Sequence, residues 1–363
     1  MKKSNIITAF IFLITVFSGF ILFILLPKQT ISRYERRPLA AFPTPKNGAY
    51  FSQLDDYIND HFPFRTPLIS LSAYTRAAAG GLCQAGVYTA RGGYLVSAPE
   101  PVNQQRAKTN LEKINNSFLD AGISVEYLPV PQAGYVLNDQ IIGPAPPYDD
   151  DAVFNLISPQ NLIDLRPYLK DIPAYYKTDH HLNATGAYIA YTELCKKLGI
   201  APLAADAFTV LKIPGFCGTT YAKSGLYLTM PDTLELWDSG AHFTLSVYDQ
   251  SLKVHKSFNT LFFTQNAAGI DPYSVYLGDN YGLAKIQNPD CVSNRRMLII
   301  KDSYANSIAP LIANHFESVW LCDLRYWRQG GLMQLVKDEA VTDVVILMSA
   351  PTLANTTDFT FLN

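Results

Sequence analysis

Two short stretches of this chain carry side chains able to do covalent chemistry. The first, Tyr175-Tyr176-Lys177-Thr178-Asp179-His180-His181-Leu182-Asn183, sets an aspartate and two adjacent histidines at the entry to a predicted helix. The second runs the apolar residues Met297-Leu298-Ile299-Ile300 through Lys301 into Asp302-Ser303-Tyr304. A serine hydroxyl is a poor nucleophile until an imidazole takes its proton. The imidazole works best when a carboxylate fixes its tautomer and stabilises the imidazolium. Asp179 and His181 are two residues apart, so in extended backbone they point to the same side. The strand-to-helix pattern around Ser303 predicts a serine at the carboxyl end of a parallel strand, where open α/β sheets bind ligands. The N–H groups of the following helix start can stabilise an oxyanion. Ser303 is therefore the candidate nucleophile, His181 the base and Asp179 the orienting carboxylate.

Two other readings compete. Asp302 or Ser303 alone could do no more than cap a helix, as Asp and Ser commonly do. Asp179, His180 and His181 are also good zinc ligands, and His242, His255 or His315 could complete such a set from a distance. No further ligand of suitable type sits nearby in sequence, so neither a metal nor a cofactor is expected.

A βα rhythm must position these groups. Apolar spacing predicts an amphipathic helix over 104–121 closed by Gly122, a buried strand over 124–130, and a helix over 185–198 stopped by Gly199. Val87 to Val96, interrupted by Gly92-Gly93, reads as a hairpin. The segment 202–288 reads as strands and long loops. Beyond it, strands at 297–300, 318–322 and 344–348 alternate with helices at 307–314 and 332–338. Such alternation implies an α/β fold with a mostly parallel sheet and helices on both faces. Tyr50 to Asp60 places Phe51, Leu54, Tyr57 and Ile58 at helical spacing, opposite Asp55, Asp56 and Asp60.

The amino terminus is of another kind. Ile6 to Leu26 is an uncharged run after Met1-Lys2-Lys3, and at ~1.5 Å per residue it spans a hydrocarbon core of about 30 Å. The apolar core of a cleaved signal is usually shorter, about 7–15 residues, and ends in a small-residue site; here Lys28-Gln29-Thr30 follows. The expectation is an anchor over residues 1–28, a proline-punctuated tether over 29–48, and one α/β domain over 49–363. Lysines lie before the span, while Lys28, Arg33, Arg36 and Arg37 lie beyond it, so charge counting does not orient it.

Composition excludes some partners. A formal net charge of -2 and no basic stripe argue against nucleic acid. The 22 Tyr and 20 Phe suit carbohydrate contacts in part, although most aromatic residues of this kind fill strands and half-buried surfaces. Five cysteines, Cys83, Cys195, Cys217, Cys291 and Cys322, form no CxxC pair, so stability rests on the core and not on a disulfide framework.

The two chemical stretches, with Leu321-Cys322-Asp323-Leu324-Arg325-Tyr326-Trp327, resemble the DHHW protein family. That family is similar to the alginate O-acetylation proteins of the SGNH-hydrolase superfamily. Weaker features in the same order extend the likeness, among them Glu35-Arg36-Arg37-Pro38-Leu39, His61-Phe62-Pro63-Phe64-Arg65 and Leu128-Pro129-Val130-Pro131. The resemblance implies an SGNH-like α/β domain whose aspartate, histidine and serine fall on Asp179, His181 and Ser303, in a circularly permuted order. It implies acyl transfer or ester hydrolysis, of acetyl, on an extracytoplasmic polysaccharide. The partners are then that glycan, an acyl donor and a membrane acyl-transfer protein. Two departures stand out: Leu182 replaces the tryptophan of the family's name, and Lys301 stands where many SGNH enzymes have glycine. The Ser303 N–H with Gly218 or Asn306 would supply the oxyanion contacts. Gly218 as a turn residue and Asn306 as a surface one are the plain alternatives. Arg325 would approach substrate, or else pair with Asp323.

Overall fold

The computed structural model describes residues 3–45, 48–82 and 84–362, so Cys83 lies outside the described residues. Its helices include α1 (Lys3–Leu25), α2 (Tyr50–His61), α3 (Arg65–Ala78), α4 (Gln104–Leu119), α5 (Ala184–Lys197), α6 (Thr219–Ser224) and α7 (Leu332–Asp338). The central sheet has seven strands: β1 (Val125–Val130), β2 (Thr244–Tyr248), β3 (Val254–Phe258), β4 (Leu283–Gln287), β5 (Arg296–Lys301), β6 (Ser318–Cys322) and β7 (Asp343–Ser349).

Strand order is β1-β7-β5-β6-β4-β2-β3. The ladders β1/β7, β7/β5 and β5/β6 are parallel, whereas β6/β4, β4/β2 and β2/β3 are antiparallel. The fold is thus mixed α/β. Its parallel half comes from the alternating helices and strands, and its antiparallel half from the turn-rich segment 202–288.

Side-chain alternation along β5 builds two cores at once. Met297 and Ile299 join a buried cluster with Ala187, Ala190 and Leu194 of α5. Leu298 and Ile300 point the other way, into a cluster with Leu111, Ile114 and Phe118 of α4 and Leu335 of α7. A strand buried on both faces needs apolar residues toward each, and Met297–Ile300 supply them between Arg296 and the buried Lys301. Asn103 starts α4 by accepting from the Arg106 N–H at 2.9 Å, and Gly122 follows it with φ +72°. The hairpin expected around Gly92-Gly93 pairs Val87–Ala90 with Tyr94–Ser97.

Near the amino terminus the structure departs from expectation. Asn5–Leu25 of α1 is long and apolar enough to cross a membrane. The stretch after it, expected to be a loose tether, is docked. Ile31–Ser32 pairs with Arg37–Pro38. Arg36 Nη2 meets Asp271 Oδ1 at 2.5 Å, and Arg37 holds both carboxylate oxygens of Asp60. Arg65 likewise grips Glu35 with two bonds. Proline spacing suggested flexibility, but the charges find distant partners that spacing cannot reveal. The amphipathic α2 forms as expected, yet none of its residues is buried.

Candidate active site

A closed loop presents the aspartate and histidine. Tyr175 and Leu182 pair in an isolated antiparallel bridge, and the Tyr176 N–H donates to the His181 carbonyl at 3.2 Å. Asn183 then starts α5: its Oδ1 accepts from the Gly186 N–H at 3.1 Å, while its amide donates to the carbonyls of Pro173 and Tyr175. Gly186 lies so close to the Ala174 carbonyl that a side chain there would overlap it. The Asp232 carboxylate fixes the other end of the loop. It accepts from the N–H groups of Lys177 and Thr178 and from the Thr178 hydroxyl, at 3.1, 2.8 and 2.6 Å.

Ser303 arrives from the sheet. It follows β5 at the carboxyl end of the parallel half, where Asp302 caps the ensuing turn by accepting from the Tyr304 N–H at 3.0 Å. The second oxygen of Asp302 accepts from the Ser349 N–H at 2.9 Å. Capping therefore belongs to Asp302, and the Ser303 hydroxyl is left for another partner.

That partner is His181. Its Nε2 lies 2.8 Å from Ser303 Oγ, and its Nδ1 lies 2.5 Å from Asp179 Oδ1. A carboxylate only accepts, so Nδ1 carries the proton and Nε2 is the basic nitrogen facing the serine. Asp179 Oδ1 also accepts from the His181 N–H at 3.0 Å, and Oδ2 accepts from the Thr219 N–H and hydroxyl at 2.6 and 2.9 Å. Burial by itself would raise the Asp179 carboxyl. The neighbouring His180 and His181, with hydrogen bonds from His181 and Thr219, outweigh burial and hold it well below the usual range.

The imidazole is clamped. Tyr273 stacks on His181 with ring centroids 3.8 Å apart and planes 7° from parallel, and Tyr304 leans on it at 5.0 Å. Each tyrosine is itself tied: Tyr273 donates to Ser307 Oγ at 3.1 Å, and Tyr304 to the His180 carbonyl at 2.9 Å. A flat aromatic face also favours the imidazolium that forms when His181 takes a proton.

His180 is a neighbour in this arrangement. Because the Thr219 hydroxyl donates to Asp179, it must accept from His180 Nδ1, 2.7 Å away. Partial burial, then the proximity of His181, lower the His180 pKa, so it is neutral at pH 7.

The zinc alternative meets this geometry directly. Ligand atoms of Asp179, His180 and His181 do gather within 4.8 Å of one another. Both ring nitrogens of His181 are engaged, however, by Asp179 and Ser303. His315 bonds the Tyr191 hydroxyl and His242 pairs with Asp290, so neither joins the cluster.

The Gly218 N–H donates to Thr178 Oγ1 at 3.2 Å, which turns it away from an oxyanion. What the site needs from Gly218 is its lack of a side chain: a Cβ would overlap Asp179. Asn306 is buried and not on the surface. Its Oδ1 accepts from Lys301 at 2.6 Å, and its amide donates to Asn280 at 3.1 Å. Arg325 makes a two-bond pair with Asp323, at 2.8 and 2.6 Å, the structural role weighed against substrate contact. Lys301 is buried beside them, its Nζ 4.0 Å from Asp323. Burial pushes it down to about 8, with Asp323 opposing and Arg325 reinforcing that shift. Leu182 is fully buried behind the histidine loop. Sequence reasoning missed Thr219, Asp232 and Tyr273, which come from elsewhere in the chain.

The DHHW protein family model matches residues 163–322, a span that contains Asp179, His181 and Ser303, and so bears out the resemblance read from the motifs. A DHHW family protein from Eubacterium siraeum superposes with a TM-score of 0.63 at 23% identity, covering 73% of this chain and 90% of that one. Bacillus cereus PatB1, in a structure with a sulfonyl adduct, gives a TM-score of 0.64 at 19% identity, covering 76% and 98%. At these identities the likeness is one of fold. No curated protein sequence matches the chain.

Proposed function

We propose that this protein transfers or hydrolyses an acyl group, acetyl in the first instance, on an extracytoplasmic polysaccharide, with Ser303 as nucleophile. The observation that carries the reading is the continuous line from Asp179 through His181 to Ser303, at 2.5 and 2.8 Å.

Each group then has one task. Ser303 Oγ attacks the carbonyl carbon of the acyl donor as its proton passes to His181 Nε2. Asp179 keeps the imidazolium oriented and neutralises its charge. The Ser303 N–H is the donor proposed for the oxyanion. When the donor's acyl–oxygen bond breaks, His181 returns the proton to the departing alcohol. A glycan hydroxyl or water repeats the sequence in reverse roles and frees Ser303. Acceptor choice separates transferase from hydrolase.

Support for the glycan and for the extracytoplasmic side comes from the DHHW resemblance to alginate O-acetylation proteins, and support for membrane attachment from the apolar α1. Hydrolysis of a small acetyl ester by wild type and Ser303→Ala, with and without chelator, tests the reading. Loss in the variant and indifference to chelator support it. Activity that survives Ser303→Ala but not the chelator means metal chemistry, and no activity in wild type favours a glycan-binding scaffold.

A further inference from the structure

The helices that follow the apolar segment are unusual for a water-soluble surface. Phe51 on α2 is 77% exposed, Phe64 in the turn 63% and Leu71 on α3 62%, and Ile58, Phe62 and Leu68 are exposed beside them. On α2 Phe51, Leu54 and Ile58 recur at helical spacing while Asp56 and Asp60 lie opposite and Asp55 borders the arc beside Phe51. An amphipathic helix normally turns such an arc to the core; this one buries nothing there. Large exposed apolar surface marks a contact with something else.

The last turns of α1 say what that contact is. Phe23, within the apolar span, meets Tyr57 of α2 edge to face with ring centroids 6.0 Å apart. Phe42 packs on the same tyrosine at 5.2 Å. At ~1.5 Å per residue, Phe23 lies only about 3 Å of helix short of Leu25. If α1 crosses a bilayer, Tyr57 therefore stands at the hydrocarbon boundary, the level at which tyrosine rings collect. Helix α2 meets that level through Tyr57, and the ion pairs of Arg37 with Asp60 and Arg65 with Glu35 hold the hairpin and the juxtamembrane segment together.

We propose that α2, α3 and the turn between them lie in the interface of the bilayer that holds α1, seating the domain on the lipid surface. The proposal rests on α1 as a retained anchor. Apolar faces of this type insert about 5–10 Å into the headgroup boundary. Two attachment points, a span and an interfacial hairpin, fix the domain's orientation where a span alone leaves it free to swing.

Tryptophan quenching by brominated lipid tests this on the full chain in phosphatidylcholine vesicles. Phe51→Trp and Phe64→Trp report the hairpin, Phe12→Trp the span, and Val292→Trp, at a fully exposed site far along the chain, reports water. Emission is read as the increment over the parent's three tryptophans. The expected result is quenching of Phe51→Trp and Phe64→Trp by about twofold or more, as befits burial at the headgroup boundary, with Val292→Trp unaffected. Hairpin probes that behave like Val292→Trp overturn the proposal. So do hairpin probes shielded from both bromine and aqueous iodide, which would mean that protein covers the face. Phe12→Trp left unquenched removes the anchor, and the proposal with it. Because no readout involves ester turnover, failure here is separate from failure of the acyl-transfer reading.

Discussion

Gly218 packs so closely behind Asp179 that a single added methyl would overlap the carboxylate. Gly218→Ala must therefore push Asp179 away from His181. Overpacking of this sort destabilises a fold by roughly 1–3 kcal/mol, and a misplaced catalytic group lowers turnover by about a hundredfold. Both should appear together in thermal melts and in kcat for an acetyl ester. Turnover equal to wild type would mean that the Asp179 position does not matter.

Thr219 offers a finer probe of the same carboxylate. Thr219→Val keeps the shape but removes the hydroxyl bridging His180 and Asp179, while the backbone N–H to Asp179 Oδ2 stays. A hydrogen bond to a charged group contributes about 1.5–3 kcal/mol, so turnover should fall by roughly one to two orders of magnitude at saturating ester. Thr219→Ser should restore most of it. Equal loss in both variants would point to packing and not to the hydroxyl.

Part of this site was legible in the chain and part was not, for physical reasons. Asp179 and His181 are near neighbours, and Ser303 ends an apolar strand, so local spacing exposes all three. Thr219, Asp232 and Tyr273 reach the site only through the fold, and no local pattern distinguishes them from loop residues. Gly218 was visible as a glycine, but its need to clear Asp179 required the third dimension. In the same way the period of α2 was readable, whereas the exposure of its apolar arc was not. The antiparallel β2, β3 and β4 come from a segment whose loops hide which strand pairs with which.

Lys301 gives a pH signature with a definite sign. An unfolded lysine keeps its proton to about pH 10.4, but buried Lys301 holds it only to about 8. Between those values the unfolded chain binds more protons, so this group makes the fold more stable as pH rises. The groups around it that set this behaviour are Asp323, Arg325, Asp302 and Cys322. Denaturant unfolding of wild type and Lys301→Met should show wild type gaining relative stability from pH 8 towards 10. A difference that stays flat across the window would contradict a strained buried ammonium.

His180 and His181 should separate sharply under mutation. His181→Ala removes the base and should approach the loss seen for Ser303→Ala. His180→Ala removes the donor to Thr219 and a neighbour of Asp179 and His181, but neither the base nor the nucleophile, and should cost far less activity. Equal, severe losses in both would favour the metal reading, and chelator sensitivity would then decide it.

The central claim is that Ser303 carries the acyl group, and trapping that intermediate tests it most directly. The full chain is quenched in acid during turnover of an activated acetyl ester, digested, and the Ser303 peptide weighed. The account predicts one acetyl group on Ser303 in wild type, accumulation in a burst before steady state, and its absence in His181→Ala. An enzyme that turns over ester at the wild-type rate with Ser303 unmodified, or with Ser303 replaced by Ala, would contradict it.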